Sequence, residues 1–484
     1  MTVGEFLLTL LDEYEFIANE YTEIRVERHN ELTESIRRSL EQVRGLLSAM
    51  DWYGNIPERD KTIARGYYLS CLLERIDNLH SKRTLSNYPS SDGHIVLGQR
   101  WWNVWKAIST HQKEPLERPA FSVHSLFPHI RKVRLNDKEW FTDKIIERVF
   151  ERVKEDGVLK FGLCSLTGKS KTQFAGTTVR DPQLGVFGFC ATSVECDPMC
   201  SDSDIEGCHD GYIHELRESI QWARENCVHI LCFPELSVCP KGRKAIWSEI
   251  ESDPGHLCLI VPGSYHDKVI GRDDLFTNSA PIWIIKEGRI TELTSFDKTE
   301  PFLIELSKVQ NFPSMLDVVE KARKSGCGYV QEHIKPGNKI RVLQTSLGVF
   351  GVVICRDQLV RPDLIERYDI LTDHLLIISM NSNPAWFWFE SEKAVRANLS
   401  ATFYVNASQV VEPDNTNVDM VFWHIPCHLP EDSPNTSKER YFRKHLPDSP
   451  NKEERITCRQ LPEDGKVCLE IKISPEMFKY NRLR

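Results

Sequence analysis

The stretch LGVFGVVICRDQLVRPDLIE, residues 347–366, decides the fold of this chain. It opens with a β-rich apolar run that ends at Cys355, and Pro362 stands where a helix would begin. A continuous apolar run of this kind is typical of a strand that is buried on both faces in an α/β protein. A cysteine at such a strand-to-helix turn lies near backbone N–H groups that favour the thiolate. The stretch therefore predicts a reactive cysteine at the edge of a buried sheet.

Two other strand ends carry charged side chains. In CVHILCFPELSV, residues 227–238, a buried strand runs into a proline and then into Glu235. In TNSAPIWIIKEGRITELTSFDKTEPF, residues 277–302, two strands joined by a glycine-containing turn deliver Lys298 at the end of the second. Catalytic groups of α/β proteins collect at the carboxyl ends of the strands, so we expect Glu235, Lys298 and Cys355 to lie close together.

Strand-like and helix-like segments alternate from residue 158 onward. The apolar runs VLKFGLC, VHILCF, HLLIIS and KVCLEIKI predict strands, whereas residues 213–226 and 387–399 predict amphipathic helices. Such alternation indicates an α/β sandwich whose sheets are covered by helices. We therefore expect one large domain over residues 158–484.

Residues 1–157 follow a helical pattern instead. Phe6, Leu7, Leu10 and Leu11 fall on one helical face, and residues 137–156 have apolar side chains spaced for a second buried face. The pattern predicts an all-α N-terminal module over residues 1–157. Such a module is a possible docking part for a protein partner.

The composition is that of a folded protein without a nucleic-acid partner. The chain has 484 residues, of which 40% are hydrophobic and 27% charged, and its formal net charge is -9. These values exclude a disordered or collagen-like chain, and they provide no basic field for a phosphate backbone. The sequence has neither the basic region of a signal peptide nor an apolar run of about 18 residues, so we expect a cytoplasmic protein that does not bind membranes. Its 15 cysteines are expected to be reduced thiols.

The charged strand ends resemble the three catalytic blocks of the nitrilase superfamily, the carbon-nitrogen hydrolases. FPEL around Glu235, DKT around Lys298 and CRD around Cys355 follow the order of that family. QEHIKPG adds a fourth match, because family amidases carry a second glutamate shortly before a Pro-Gly pair, and that position is Glu332 here. LIVPGSYH and FTNSAPIW also fall where the family has corresponding elements, and the resemblance covers about residues 180–484. It implies a four-layer αββα sandwich.

The chain departs from the family pattern at two places. Residues 306–330 are an insertion relative to compact members, and we expect it to overlie the mouth of the active site as a lid. The turn after Cys355 is also one residue longer before its Pro-Asp pair, at Pro362. Both departures weaken any assignment of the substrate by analogy.

The resemblance implies a hydrolase that cleaves a carbon-nitrogen bond through a thioester on Cys355. Glu235 would be the general base, Lys298 the stabiliser of the oxyanion, and Glu332 the acid that orients substrate and lysine. Arg356, through its backbone N–H, and Asp357 would lie next to the substrate. No metal or organic cofactor is required. True nitrilases of the family usually have Trp-Glu after the cysteine, so Arg356-Asp357 favours an amide or carbamoyl substrate, with a nitrile as the alternative.

Other functions remain open from the sequence alone. The domain could be a regulated effector or a scaffold within a larger assembly, docked through the N-terminal module. Family members usually pair their sandwiches, and the four consecutive aromatic residues 386–389 on one predicted helix favour a homodimer or higher oligomer.

Two further motifs resemble ligand-binding sites, but the spacing of their residues argues against both. The segment from Gly162 to Ser170 has five residues between its glycines where a phosphate-binding Walker loop has four, which argues against a nucleotide site. Residues 196–214 contain three cysteines and two histidines, but their spacing is not one of the common zinc patterns. We expect a loop with reduced cysteines there and no metal.

Overall fold

Two seven-stranded sheets that pack face to face form the body of the protein in a computed structural model of the chain. The structure describes residues 2–20, 62, 65–66, 69, 72–73, 76, 86–90, 93–97, 130–133, 140–145, 150, 153, 157–166, 170–196, 208–269, 272–309, 313–345, 347–360, 371–398, 400–407, 418–424, 454–457 and 464–472.

The elements within these residues are numbered in chain order. The strands are β1 Ser86–Ser90, β2 Gly93–Leu97, β3 Ile130–Val133, β4 Trp140–Ile145, β5 Val158–Cys164, β6 Ser170–Asp181, β7 Val186–Cys196, β8 Ile230–Cys232, β9 Leu259–Val261, β10 Tyr265–Val269, β11 Arg272–Lys286, β12 Arg289–Asp297, β13 Leu303–Glu305, β14 Tyr329–Glu332, β15 Lys339–Thr345, β16 Gly348–Ile354, β17 His374–Ser379, β18 Ala401–Asn406, β19 Asp419–His424, β20 Glu454–Thr457 and β21 Lys466–Lys472. The α-helices are α1 Val3–Glu20, α2 Cys208–Glu225, α3 Pro240–Ser252, α4 Leu306–Val309, α5 Leu316–Lys324, α6 Asp357–Val360 and α7 Ala385–Asn398, and a 3-10 turn spans Pro313–Met315.

The first large sheet has the strand order β10-β11-β9-β8-β5-β21, and β12 also pairs with β11. Its centre is parallel, because β5, β8 and β9 run in the same direction, whereas β10, β12 and β21 pair antiparallel with their neighbours. The second large sheet has the order β20-β19-β18-β17-β16-β15-β4, with β16, β17 and β18 parallel at its centre. Parallel strands are fully buried, which accounts for the continuous apolar runs of the sequence.

The main core lies between the two sheets. Phe161 on β5 stacks on Phe403 on β18, with ring centroids 4.0 Å apart. Helices α2 and α3 pack with the other face of the first sheet in a second apolar cluster, and α7 packs against β18 and β19. The layers thus follow in the order helix, sheet, sheet, helix, and the predicted α/β class is confirmed.

The predicted insertion forms part of a smaller unit beside the large sheets. Residues 306–330 contain α4 and α5 and reach into β14, which belongs to a four-stranded sheet of order β13-β14-β7-β6. Helix α5 packs against β6 and β7, and Val318 and Ala322 are fully buried in the apolar cluster that contains Phe187 and Phe189. The insertion therefore shares an apolar core with β7, separate from the core between the two large sheets, and its action as a lid stays a prediction.

The prediction of an all-α module over residues 1–157 is wrong in part. Helix α1 is present, but β1, β2 and β3 form a three-stranded antiparallel sheet, and α1 packs against β1 and β2. Within the predicted helix 137–156, β4 instead pairs in parallel with β15. An unpaired edge strand exposes a row of N–H and C=O groups, and pairing satisfies them, so this tertiary contact outweighs the local helical pattern. The domain boundary at residue 157 stays a prediction, although β4 lies before it and belongs to the second large sheet.

Two further expectations concern side chains and membranes. Nine cysteines in the described part of the chain are free thiols, and the reduced state of all 15 stays a prediction. Within the described ranges, no helix is both long and apolar enough to span a membrane.

Candidate active site

Cys355 lies at a strained turn between β16 and α6. Its backbone φ angle is 46°, in the left-handed region that residues with a side chain rarely adopt. The Cys355 N–H donates to the carbonyl of Ile378 on β17 at 2.8 Å, and the Cys355 carbonyl accepts the N–H of Gln358 at 3.1 Å. Strain of this kind persists where the surrounding structure fixes it, and it is common at functional sites.

The thiol of Cys355 is buried and protonated at neutral pH. Its pKa is raised to about 12, mainly by burial and also by the charge of Glu235, whereas Lys298 and a hydrogen bond from Ser379 act in the opposite direction. The Ser379 hydroxyl donates to Sγ at 3.4 Å. The expectation that this turn favours a resting thiolate is therefore wrong, because α6 has only four residues and desolvation dominates. A nucleophilic thiolate requires a base.

Glu235 follows β8 at a point where two chain segments approach closely. Leu236 has a φ angle of 54°, and its N–H donates to the carbonyl of Ser264 at 2.8 Å. A Cβ atom at Gly263, whose φ angle is 72°, would lie 2.4 Å from the carbonyl oxygen of Pro234. Glycine at this position therefore allows the segment after β9 to pass next to the Glu235 turn.

Lys298 connects two carboxylates from different strands. Its Nζ lies 2.7 Å from Oε1 of Glu235 and 2.6 Å from Oε2 of Glu332, and all three side chains are at most 2% exposed. Burial opposes the charged form of Lys298, but the two carboxylates outweigh it and hold the pKa of the ammonium group above its ordinary value. The lysine is therefore a fixed positive charge in a dry site.

The carboxylate of Glu332 accepts four hydrogen bonds. Oε1 accepts from His266 Nε2 and Asn278 Nδ2, both at 3.1 Å. Oε2 accepts from Lys298 Nζ and from the backbone N–H of Phe302, both at 2.6 Å. Burial alone would raise the pKa of Glu332, but Lys298 and His266 lower it to about 2. Glu332 is therefore ionised with its acceptor positions occupied.

The carboxylate of Glu235 has a different environment. Oε1 accepts from Lys298 Nζ at 2.7 Å and from Asn278 Nδ2 at 2.9 Å. Among the described hydrogen bonds, Oε2 accepts one, from the backbone N–H of Met380 at 3.1 Å. The same Met380 N–H also interacts with the thiol of Cys355. Glu235 therefore retains an acceptor position on the oxygen that lies on the Cys355 side.

Asn278 and His266 are site residues that we did not predict from the sequence. They lie opposite each other in the pairing of β10 with β11, so their side chains leave the same face of the sheet. The signal was present in FTNSAPIW and LIVPGSYH, where a polar side chain interrupts or ends an apolar strand. Buried polar side chains need partners, and such positions in a strand indicate one.

Arg356 and Asp357 contact the chain after Lys298. The Asp357 carboxylate accepts backbone N–H groups from Thr299, at 3.1 and 2.9 Å, and from Glu300, at 2.7 Å. Burial raises the pKa of Asp357 to about 7, against these donors. The guanidinium of Arg356 donates to the carbonyl of Leu303 at 2.9 Å. Both side chains thus hold the turn that carries Cys355 against the residues that follow Lys298. Contact of either side chain with a substrate stays a prediction.

No metal site is found among the described His, Cys, Asp and Glu residues. Most of the cysteine-rich segment 196–214 that we considered as a ligand cluster, residues 197–207, lies outside the described residues.

Several solved structures resemble this one over much of its length. Nit3 of Saccharomyces cerevisiae, a member of branch 10 of the nitrilase superfamily, matches with 11% sequence identity over 61% of this chain and 96% of its own, at a TM-score of 0.34. An amidase of the nitrilase superfamily from Nesterenkonia matches with 11% identity over 67% of this chain and 95% of its own, at a TM-score of 0.35. A carbon-nitrogen hydrolase from Helicobacter pylori matches with 12% identity over 59% and 93%, at a TM-score of 0.31.

No protein-family model and no curated protein sequence matches this chain. At TM-scores this low, these similarities assign no function to this chain.

Proposed function

We propose that this chain is a carbon-nitrogen hydrolase of the nitrilase superfamily that acts on amide or carbamoyl bonds other than peptide bonds. The observation that carries the proposal is a buried thiol, Cys355, held at a strained strand end beside the ion cluster of Glu235, Lys298 and Glu332. A nucleophile, a base and a fixed cation within one dry site are the components that acyl transfer requires.

The hydrogen bonds of the two carboxylates support different roles for Glu235 and Glu332. Glu332 accepts four hydrogen bonds, so its oxygens are occupied and its low pKa makes it a poor proton acceptor. Glu235 keeps an acceptor position on Oε2, beside the thiol. We therefore assign Glu235 as the general base and Glu332 as the carboxylate that holds Lys298 in place.

The reaction proceeds in two halves. Glu235 takes the proton of the Cys355 thiol as sulfur attacks the carbonyl carbon, and it then gives this proton to the departing ammonia or amine. The resulting thioester is hydrolysed by a water molecule that loses its proton to Glu235, and the proton returns to sulfur as the acid leaves. Lys298 and the backbone N–H of Arg356 stabilise the negative oxygen in both halves. Removing one such donor typically lowers the rate on the order of a hundredfold to a thousandfold.

A panel of amides, carbamoyl compounds and nitriles, assayed for ammonia release, tests this proposal. Intact-mass spectrometry of the wild-type protein with a slow substrate is expected to show an acyl adduct on the peptide that contains Cys355, whereas Glu235→Gln should show none, because acylation already needs the base. Cys355→Ala should be inactive, and Cys258→Ala, a buried cysteine elsewhere in the core, should retain activity. An adduct on another cysteine, or full turnover by Cys355→Ala, would contradict the assignment.

A further inference from the structure

His266 joins Glu332 to a backbone group of another strand. Its side chain is fully buried on β10. Nδ1 accepts the backbone N–H of Ala191 on β7 at 2.7 Å, and Nε2 lies 3.1 Å from Oε1 of Glu332. The ring, carried by β10 of the first large sheet, therefore contacts two strands of the small sheet, β7 through Ala191 and β14 through Glu332.

The Ala191 contact determines the tautomer of the ring. A backbone N–H can only donate, so Nδ1 must present its lone pair, and the hydrogen of the neutral ring must be on Nε2. Ala191 is held in register by its pairing with Phe174 on β6. Nε2–H therefore points at Glu332 as a donor, and a second proton on Nδ1 would break the Ala191 hydrogen bond.

We propose that His266 is a positioning residue, whose Nε2–H holds the Glu332 carboxylate in place against Lys298. This inference rests on the proposed hydrolase function of the site. With Nδ1 occupied as the acceptor of the Ala191 N–H, the ring supplies a hydrogen bond to Glu332 and leaves Lys298 as the cation of the cluster. The positive charge of the cluster thus stays on the lysine, next to the reacting carbonyl.

The arrangement affects the base through the shared lysine. Lys298 divides its charge between Glu235 and Glu332. Without the His266 donor, Glu332 is held less firmly against Lys298, and Lys298 then pairs mainly with Glu235. The Glu235 carboxylate is then less available to the Cys355 thiol, so the thiol should react more slowly.

Other titratable groups lie near the His266–Glu332 pair. They are Tyr265 and Asp267 beside His266 on β10, Cys190 beside Ala191 on β7, Lys298 after β12, Glu235 after β8 and Cys355 after β16. Asp267 is paired with Arg243 at 3.0 Å. The ion pair with Lys298 is therefore the largest charge interaction of Glu332.

Two substitutions separate the hydrogen bond from packing. His266→Gln retains an N–H donor at the position of Nε2, whereas His266→Phe retains the volume and removes the donor. His374→Phe is the matched control, because His374 is also fully buried but lies against Phe350, outside the ion cluster. Each full-length variant is treated with iodoacetamide from pH 5 to pH 9, and the alkylation rate of Cys355 is followed by intact mass and peptide mapping.

His266→Phe is expected to slow alkylation of Cys355 by about tenfold throughout this pH range, because Glu332 stays ionised there and the loss acts through the position of Lys298. His266→Gln should restore most of the rate. His374→Phe should lower thermal stability without slowing alkylation. A folded His266→Phe with the wild-type alkylation rate, or His266→Gln that behaves like His266→Phe, would overturn the inference. Alkylation by iodoacetamide needs no substrate, so its result can be interpreted even if the protein hydrolyses none of the amides tested. Failure of every amide would count against the proposed hydrolase function and not against the role of His266.

Discussion

Both carboxylate oxygens of Asp357 accept the backbone N–H of Thr299, at 3.1 and 2.9 Å. Asp357 lies two residues after Cys355, and Thr299 lies directly after Lys298. A single buried side chain thereby ties the turn that carries the thiol to the loop that carries the ammonium group. The relative position of Cys355 and Lys298 depends on this contact.

Asp357→Asn should displace the lysine loop and change the pH dependence of stability. The amide group of asparagine would turn N–H donors toward the N–H groups of Thr299 and Glu300, so we expect at least a tenfold loss of kcat. The pKa of Asp357 in the folded protein, about 7, is above its ordinary value of 3.8. Its contribution to the free energy of unfolding is therefore complete below about pH 4 and is lost as pH rises to 7, by at most about 1.4 kcal/mol per pH unit.

Urea unfolding at several pH values checks this effect. The wild-type minus variant difference in unfolding free energy should become smaller between pH 4 and pH 7. A difference that is constant over this range would show that Asp357 does not titrate there.

Asn278→Asp should be more damaging than Asn278→Ala. Asn278 Nδ2 donates to Glu235 at 2.9 Å and to Glu332 at 3.1 Å. Aspartate has the same shape, but it would place a third carboxylate between two others and remove the donor. We expect a loss of kcat of about a hundredfold at pH 8, with partial recovery at lower pH as a shared proton restores a donor. Asn226→Asp, at a half-buried site outside the cluster, is the control. Equal activity of Asn278→Asp, Asn278→Ala and Asn226→Asp would contradict the role of Asn278.

Gly337→Ala should displace the backbone of Lys298. The Gly337 N–H donates to the Lys298 carbonyl at 2.8 Å, and a Cβ atom at Gly337 would lie 2.7 Å from the carbonyl oxygen of Asp297. The backbone must shift, so we expect about 1 to 3 kcal/mol of destabilisation together with reduced kcat. Gly328→Ala, where nothing lies within 4 Å of the added atom, is the control. Thermal melts and steady-state kinetics should separate the two variants, and identical behaviour would contradict the expectation.

We propose that the exposed aromatic residues of α7 form a homodimer interface. Phe387 and Trp388 are buried, but Trp386 and Phe389 are 64% and 57% exposed, with ring centroids 6.3 Å apart. Val360 on the adjoining α6 is also exposed. Sedimentation of the full chain, which keeps β4 in its sheet, should show a dimer at micromolar concentration. Trp386→Glu combined with Phe389→Glu should give a monomer.

Leu184→Glu is the control for this experiment. Leu184 is 69% exposed in the turn between β6 and β7, away from α7, so its substitution should leave the dimer intact. A wild-type monomer, or a dimer that survives the double substitution, would rule out this interface.

The meeting of Glu235, Lys298 and Cys355 could be anticipated from the sequence because each follows a strand, and strand ends share an edge of the fold. Glu332 was expected there only from the resemblance to family amidases. His266 and Asn278 were missed because a single polar residue within a strand gives no indication of its partner. The protonated state of Cys355 was missed for a related reason, since desolvation depends on the layers above the turn. The strand β4 could not be predicted because its helical spacing was outweighed by a free edge at β15, which is distant in sequence.

The pairing of β5 with β21 has a consequence for synthesis of the chain. Residues 158–164 form the strand next to β8, which leads to Glu235, yet their other neighbour is residues 466–472. Contacts between residues that are distant in sequence slow folding, and they leave strands made early unpaired until translation is complete. A nascent chain that has already made Glu235, Lys298 and Cys355 would still present an open edge at β5, so this protein should depend on chaperones during translation.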